Sequence, residues 1–267
     1  MRSFLLSCFL SITLMSFGQT DPLLEAARKK LEAKDYKGAR IDATKVIDAA
    51  PKNKLAYVLR GRARMGLQDD YGAISDFTFA LDIDSLFAEA LNHRGEAKIN
   101  LGDDDGAISD LDKAIRLRPN YTDAYTNRGF AKYNIEDLQG AYFDFSKALE
   151  LGPPDADKYF NRGLVKAELG EFVSAIDDYS KAIELDKTDP TYYDNRALSK
   201  TEKEDYAGAI EDYTYSIELF PSDPETYFQR GLVKILANNN YDGCLDLKHA
   251  EELGSPDAKA AIKKNCK

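Results

Sequence analysis

From Thr20 to Asp257, small and apolar residues return along two stripes spaced i, i+4, i+7, interrupted by short polar stretches of the "GDDDG" kind at Gly102 to Gly106. That spacing marks one face of an α-helix, so the pattern predicts pairs of amphipathic helices joined by tight turns. Pro51, Pro119, Pro153 and Pro221 recur where each second helix should stop. Aligning Asn127–Pro153 with Asn161–Lys187 requires a shift of 34 residues, and the same shift holds without a gap from Thr20 to Asp257. Seven units follow, starting at Thr20, Lys54, Ala88, Thr122, Ala156, Pro190 and Pro224.

Numbered within a unit, the stripes are positions 4, 8 and 11 on the first helix and 20, 24 and 27 on the second. Position 8 is Gly or Ala throughout, position 20 is Ala in six units and Gly243 in the last, and position 27 is small in all seven. Small residues there let two helices approach closely, as ridge-into-groove packing requires. Larger residues at position 4, such as Tyr125 and Tyr159, and at position 24, such as Phe77 and Tyr179, fill the space between.

A period of 34 with an aromatic residue at 4, Gly or Ala at 8, Ala at 20, an aromatic at 24, Ala at 27 and Pro at 32 resembles the tetratricopeptide repeat over residues 20–257. The resemblance implies an all-α chain, a right-handed α-solenoid of seven helical hairpins, and a role as a general interaction scaffold. Unit 1 departs most, with Ala26 and Ala43 where larger or charged residues stand elsewhere. After the seventh unit, residues 258–267 read as a capping helix, with Ala261 and Ile262 facing inward and Lys259, Lys263 and Lys267 toward water.

Charge also repeats on the faces expected to be buried. Position 23 is Asp in every unit, and position 7 is Arg in all but the first. If each aspartate pairs with the arginine of the following unit, the absence of an arginine from unit 1 is explained. That arrangement predicts pairs Asp42–Arg60, Asp76–Arg94, Asp110–Arg128, Asp144–Arg162, Asp178–Arg196 and Asp212–Arg230, closed by Asp246–Lys264 on the final helix. Such buried pairs fix register more than they add stability. The competing reading is a row of arginines that binds an anion.

The resemblance further implies that first-helix positions 2, 5, 6, 9, 12 and 13 face a groove. The candidate peptide-binding residues are then Asn127, Phe130, Tyr133, Phe160, Asn161, Leu164, Asn195, Leu198, Phe228, Gln229 and Leu232. Asn127, Asn161 and Asn195 at position 6 can bond a peptide backbone or satisfy their own helix, and both readings stay open. Arg28 and Arg62 make the early units cationic, while Asp123, Asp157 and Glu225 rim the later ones. The basic and amide set with which some relatives clamp a chain terminus is absent: position 5 holds Leu24, Val58 and Asn92, and position 9 holds Arg28, Arg62 and Glu96.

Composition narrows the function. The 267 residues carry a formal net charge of -10. Met1 and Arg2, the apolar run from Phe4, and small Ser16 and Gly18 read as a signal peptide over residues 1–18, with cleavage before Gln19. The apolar run is shorter than the ~20 residues a spanning helix needs. Cys8 as a lipid-anchor residue is the weaker reading, because the apolar run continues past it. The mature chain is expected to be exported, periplasmic or secreted, and monomeric.

An acidic chain without a basic block argues against nucleic acid and anionic membrane, leaving protein or peptide partners. Cys244 and Cys266 are expected to form a disulfide in an oxidising compartment, two free thiols being the alternative. His93 and His249 belong to no metal-ligand or nucleophile-base spacing, Asp103–Gly106 lacks the acid that would complete a calcium loop, and no phosphate-binding glycine loop occurs. No cofactor, metal or catalytic activity is expected. The function read from these features is a scaffold for an extended peptide in a cell-envelope assembly; the alternative is a chaperone-like or enzyme-accessory factor with many clients.

Overall fold

Each hairpin turns at position 15, where the backbone enters the left-handed region: Gly102 and Gly170 have φ 76°, and Lys34, Gln68, Glu136, Glu204 and Asn238 have φ between 58° and 62°. One residue later an acidic or amide side chain caps the second helix. Asp35, Asp69, Asp103, Asp137 and Asp205 accept from the backbone N–H of Gly38, Gly72, Gly106, Gly140 and Gly208. A Cβ at Gly106 would lie 2.2 Å from Oδ2 of the capping Asp103 carboxylate, whose Oδ1 accepts the bond, so glycine at position 19 is what admits the cap. Unit 5 carries Glu171 and Ser174 instead, and its second helix has no side-chain cap bond.

The computed structural model describes residues 21–266, so the expected signal peptide, Cys8 and Lys267 lie outside the described residues. The described chain is helical, without strands, and falls into two bodies divided between Ser85 and Leu86. The first holds hairpins α1 (Pro22–Glu32) with α2 (Tyr36–Ala49) and α3 (Lys54–Met65) with α4 (Asp70–Ile83). The second holds α5 (Ala88–Asn100) with α6 (Asp104–Leu117), α7 (Thr122–Asn134) with α8 (Leu138–Leu151), and α9 (Ala156–Glu168) with α10 (Phe172–Leu185). It continues with α11 (Pro190–Glu202) and α12 (Tyr206–Leu219), α13 (Pro224–Leu236) and α14 (Asn240–Glu252), and ends with α15 (Ala258–Asn265).

Within each body successive helices pack in chain order, and the chain is an all-α repeat solenoid. The contact that sets hairpin spacing is between positions 8 and 24. A Cβ on Gly61, Gly129 or Gly163 would come within 2.5 to 2.8 Å of the ring of Phe77, Phe145 or Tyr179. Those three rings are fully buried, and the alanines at position 20 are inaccessible to water. At the C-terminus Cys244 on α14 and Cys266 after α15 are joined, with Cα atoms 5.8 Å apart, which ties the last helix to the last hairpin. Ala261 and Ile262 are half-buried beneath it, while Lys259 and Lys263 are exposed.

The charged residues at positions 7 and 23 pair within a hairpin, which corrects the inter-unit ladder expected from sequence. Arg94 reaches Asp110, Arg128 reaches Asp144, and Arg162 reaches Asp178, each through Nε and a terminal nitrogen at 2.6 to 2.8 Å. Arg60–Asp76, Arg196–Asp212 and Arg230–Asp246 repeat this fork. A second cation sits at position 11, on the stripe expected to be buried. Lys30, Arg64, Lys98, Lys132, Lys166, Lys200 and Lys234 lie 2.6 to 3.0 Å from the same aspartates.

Asp42 therefore needs no arginine, since Lys30 and Lys45 hold it at 2.6 and 3.2 Å. Asp246 is filled by Arg230 and Lys234, and Lys264 forms no ion pair among the described residues. The guanidinium's remaining arm supplies the bond between units in the second body: Arg128 reaches Asp112 at 2.6 Å, Arg196 reaches Ser180 at 3.0 Å, and Arg230 reaches Thr214 at 3.1 Å, all at position 25 of the preceding hairpin. Burial alone would raise the Asp110 carboxyl, but hydrogen bonds from Arg94 and Lys98 hold it below the usual carboxylate range. The arginines are occupied by these carboxylates, which leaves no row of free guanidinium groups for an anion.

Candidate groove

In the second body the exposed faces of α5, α7 and α9 line an open cavity of about 630 Å³. Positions 5, 6 and 9 supply its floor, because the stripes at positions 4, 8 and 11 of the same helices are turned to the partner helix of each hairpin. Phe130 lines the cavity and is 37% exposed, in a T-shaped contact with Phe145 at 5.3 Å between centroids. Phe160 is half-buried, set between Tyr179 and Tyr192 at 5.8 and 5.1 Å.

The amides have different states. Asn127 donates through Nδ2 to Oδ1 of Asn92 at 3.1 Å, and Asn92 is itself buried. Asn161 lines the cavity and makes no side-chain hydrogen bond within the described chain. Asn195 donates to the carbonyl of Thr191 in its own helix at 2.8 Å, and Gln229 donates to Glu225 at 2.6 Å. The local reading of the position-6 amides thus holds for Asn195, while Asn161 remains open to a ligand.

Other expected groove residues separate from this cavity. Tyr133 packs against Ala141, Phe145 and Val165, and burial raises its hydroxyl pKa. Leu164 is half-buried outside the cavity lining, as are Phe228 and Leu232 on α13. Leu198 on α11 is half exposed at 50%. Arg28 and Arg62 belong to the first body.

Two features of the site escaped the sequence reading. Asn92 occupies position 5, where Leu24 and Val58 stand in earlier units, and anchors Asn127. Tyr192 donates to Asp157 Oδ1 at 2.6 Å, fixing one rim carboxylate. The signal for the second was present, because position 3 is Ala in units 2 to 4 and Tyr192 replaces it in unit 6.

Residues 156–189 match the tetratricopeptide repeat model, and residues 96–135 match a second model described as TPR repeat. The first segment is one whole unit of the 34-residue frame, and the two matches support a tetratricopeptide repeat protein. No curated protein matches the sequence.

Among solved structures, the APC/C hetero-tetramer Cut9–Hcn1 is similar with a TM-score of 0.73 at 16% identity, over 94% of this chain and 50% of that one. This chain thus spans half the length of that relative. A tetratricopeptide repeat protein from Parabacteroides merdae is similar at 21% identity, over 91% of this chain and 95% of that one, with a TM-score of 0.61. YrrB, described as a TPR protein with an unusual peptide-binding site, is 21% identical over 67% of this chain and 92% of its own, with a TM-score of 0.57. At these identities the likeness is one of fold.

Proposed function

We propose that this protein is an interaction scaffold that holds an extended segment of another protein across α5, α7 and α9, and that it works outside the cytoplasm in a cell-envelope assembly. The observation that carries the first part is the cavity itself, which combines the partly exposed ring of Phe130 with the unengaged amide of Asn161. An extended chain offers a backbone donor and acceptor at each residue, and a free amide can meet both. The peptide-binding site described for YrrB supports the reading by analogy of fold. Export is supported by the residue pattern of Met1–Gly18 and by the Cys244–Cys266 bond, which suits an oxidising compartment.

The test is crosslinking in the native compartment followed by mass spectrometry, comparing the natural protein with an Asn161→Ala/Phe130→Ala variant. The expected result is one dominant partner, linked through a single unstructured segment to α5, α7 and α9, and lost in the variant. Crosslinks that map elsewhere refute the groove, and links spread over many proteins favour a chaperone-like role. Sequencing the mature N-terminus is expected to begin at Gln19; an intact Met1 refutes export by this route.

A further inference from the structure

We infer that the groove on α5, α7 and α9 takes a basic extended peptide, one whose lysine or arginine side chains recur about every third residue. This rests on the groove being a peptide site and names the chemistry of its occupant. The opening is bordered by the carboxylates of Glu96, Asp123, Asp155 and Asp157 against a single ammonium, Lys158. Their roles differ. Asp155 caps α9 through the N–H of Lys158, Asp157 accepts from Tyr192, and Glu96 lies 3.0 Å from the imidazole of His93. Asp123 has no hydrogen-bonding or ionic partner within the described chain.

The wider field has the same sign. Residues 86–267 carry 23 Lys and Arg against 35 Asp and Glu, whereas residues 21–85 carry 12 against 11. A cationic segment is therefore drawn toward the second body, where clefts lined by one charge focus the field. Within the cleft, the exposed part of the Phe130 ring offers apolar surface to the methylene stem of a lysine or arginine while the head reaches a rim carboxylate. Neighbouring first helices lie about 9 Å apart, and a chain extended as a polyproline-II helix rises about 3.1 Å per residue with about three residues per turn, so side chains three positions apart share one face and meet successive rungs. An acidic segment would meet uncompensated like charge on the rim.

The experiment is fluorescence anisotropy with three labelled twelve-residue peptides in an alanine-serine background, bearing Lys, Gln or Glu at every third position. The Lys peptide is expected to bind most tightly and the Glu peptide least. Glu96→Gln/Asp123→Asn should weaken the Lys peptide by about two- to fivefold per carboxylate and leave the Gln peptide unchanged. Phe130→Ala should weaken both. Asp177→Asn/Glu184→Gln, two exposed carboxylates on α10, should leave every affinity as it was.

Equal binding of Lys and Gln peptides, or equal loss in the α10 control, overturns the charge inference while leaving the groove in place. Failure of all three peptides to bind, or indifference to Phe130→Ala, overturns both.

Discussion

Asp194, on α11, is a half-buried carboxylate with too few donors, and its removal should stabilise the protein in a pH-dependent way. Its two oxygens lie 3.4 and 3.3 Å from Thr226 Oγ1, but that hydroxyl is 2.6 Å from Asp223. A hydroxyl has one proton to donate, so the shorter contact to Asp223 leaves only a weak bond to Asp194. Burial pushes the Asp194 carboxyl up to about 6, against hydrogen bonds from Ser216 and Thr226, and the charges of Asp223 and Asp189 add to the rise.

The ordinary value is 3.8, so the shift is about two pH units, worth up to about 3 kcal/mol. Between about pH 4 and 6 the folded state binds more protons than the unfolded state, so stability falls as pH rises through that window and stays reduced above it. Asp194→Asn keeps an acceptor for Thr226 and removes the charge. Urea denaturation followed by circular dichroism at pH 4.5, 6 and 8 should show the variant more stable by up to about 3 kcal/mol at pH 8, with the difference shrinking toward pH 4.5. A difference that is absent, reversed, or constant across this range refutes the reasoning.

The in-hairpin pairing predicts strong coupling in a double-mutant cycle of Arg128 with Asp144 and near-additivity for Arg162 with Asp144. Arg128→Met alone should cost about 3–5 kcal/mol, since Asp144 keeps only Lys132 and Asp112 loses its partner. In the first body, the hydrogen bond from Lys30 leads the effects that hold the Asp42 carboxyl below its usual value. Its stabilisation is thus present above about pH 4 and lost below, and Lys30→Met should destabilise more at pH 7 than at pH 3 by thermal melting. Reducing Cys244–Cys266, which are 22 residues apart in sequence, should cost about 3 kcal/mol in chain entropy; unchanged amide exchange on α15 would contradict this. Gly106→Ala should displace the Asp103 cap and cost about 1 kcal/mol, read as a lowered denaturation midpoint.

A repeat of 34 residues determines much of the fold from sequence because each position returns to the same environment. Glycine at position 8 facing a ring at position 24 is legible without coordinates, since a residue without a side chain on a buried stripe must face something large. The same periodicity is silent about phase. Asp110 lies 16 residues after Arg94 and 18 before Arg128, and either pairing repeats equally well along an array. Arguing from the missing arginine of unit 1 assumed one cation for each carboxylate. The cation at position 11, present in all seven units including unit 1, shows that each aspartate draws on two positions. The spacing hides it on an apolar stripe, where a lysine stem can lie while its head reaches inward to the carboxylate.

The groove divides along the same line between what repeats and what does not. That positions 5, 6 and 9 face outward from α5, α7 and α9 follows from the burial of positions 4, 8 and 11, and the period conveys it. Which amides stay free depends on single neighbours that the period does not carry. Asn195 finds a carbonyl one turn back, Asn127 finds Asn92, and Asn161 finds neither. The division between Ser85 and Leu86 is hidden in the same way, since the 34-residue frame runs through it unbroken. Residues that differ from their counterparts in other units are therefore where the proposed groove takes its particular chemistry. Asn92 in place of Val58 and Phe130 in place of Glu96 are two such departures, and both line the cavity on α5 and α7.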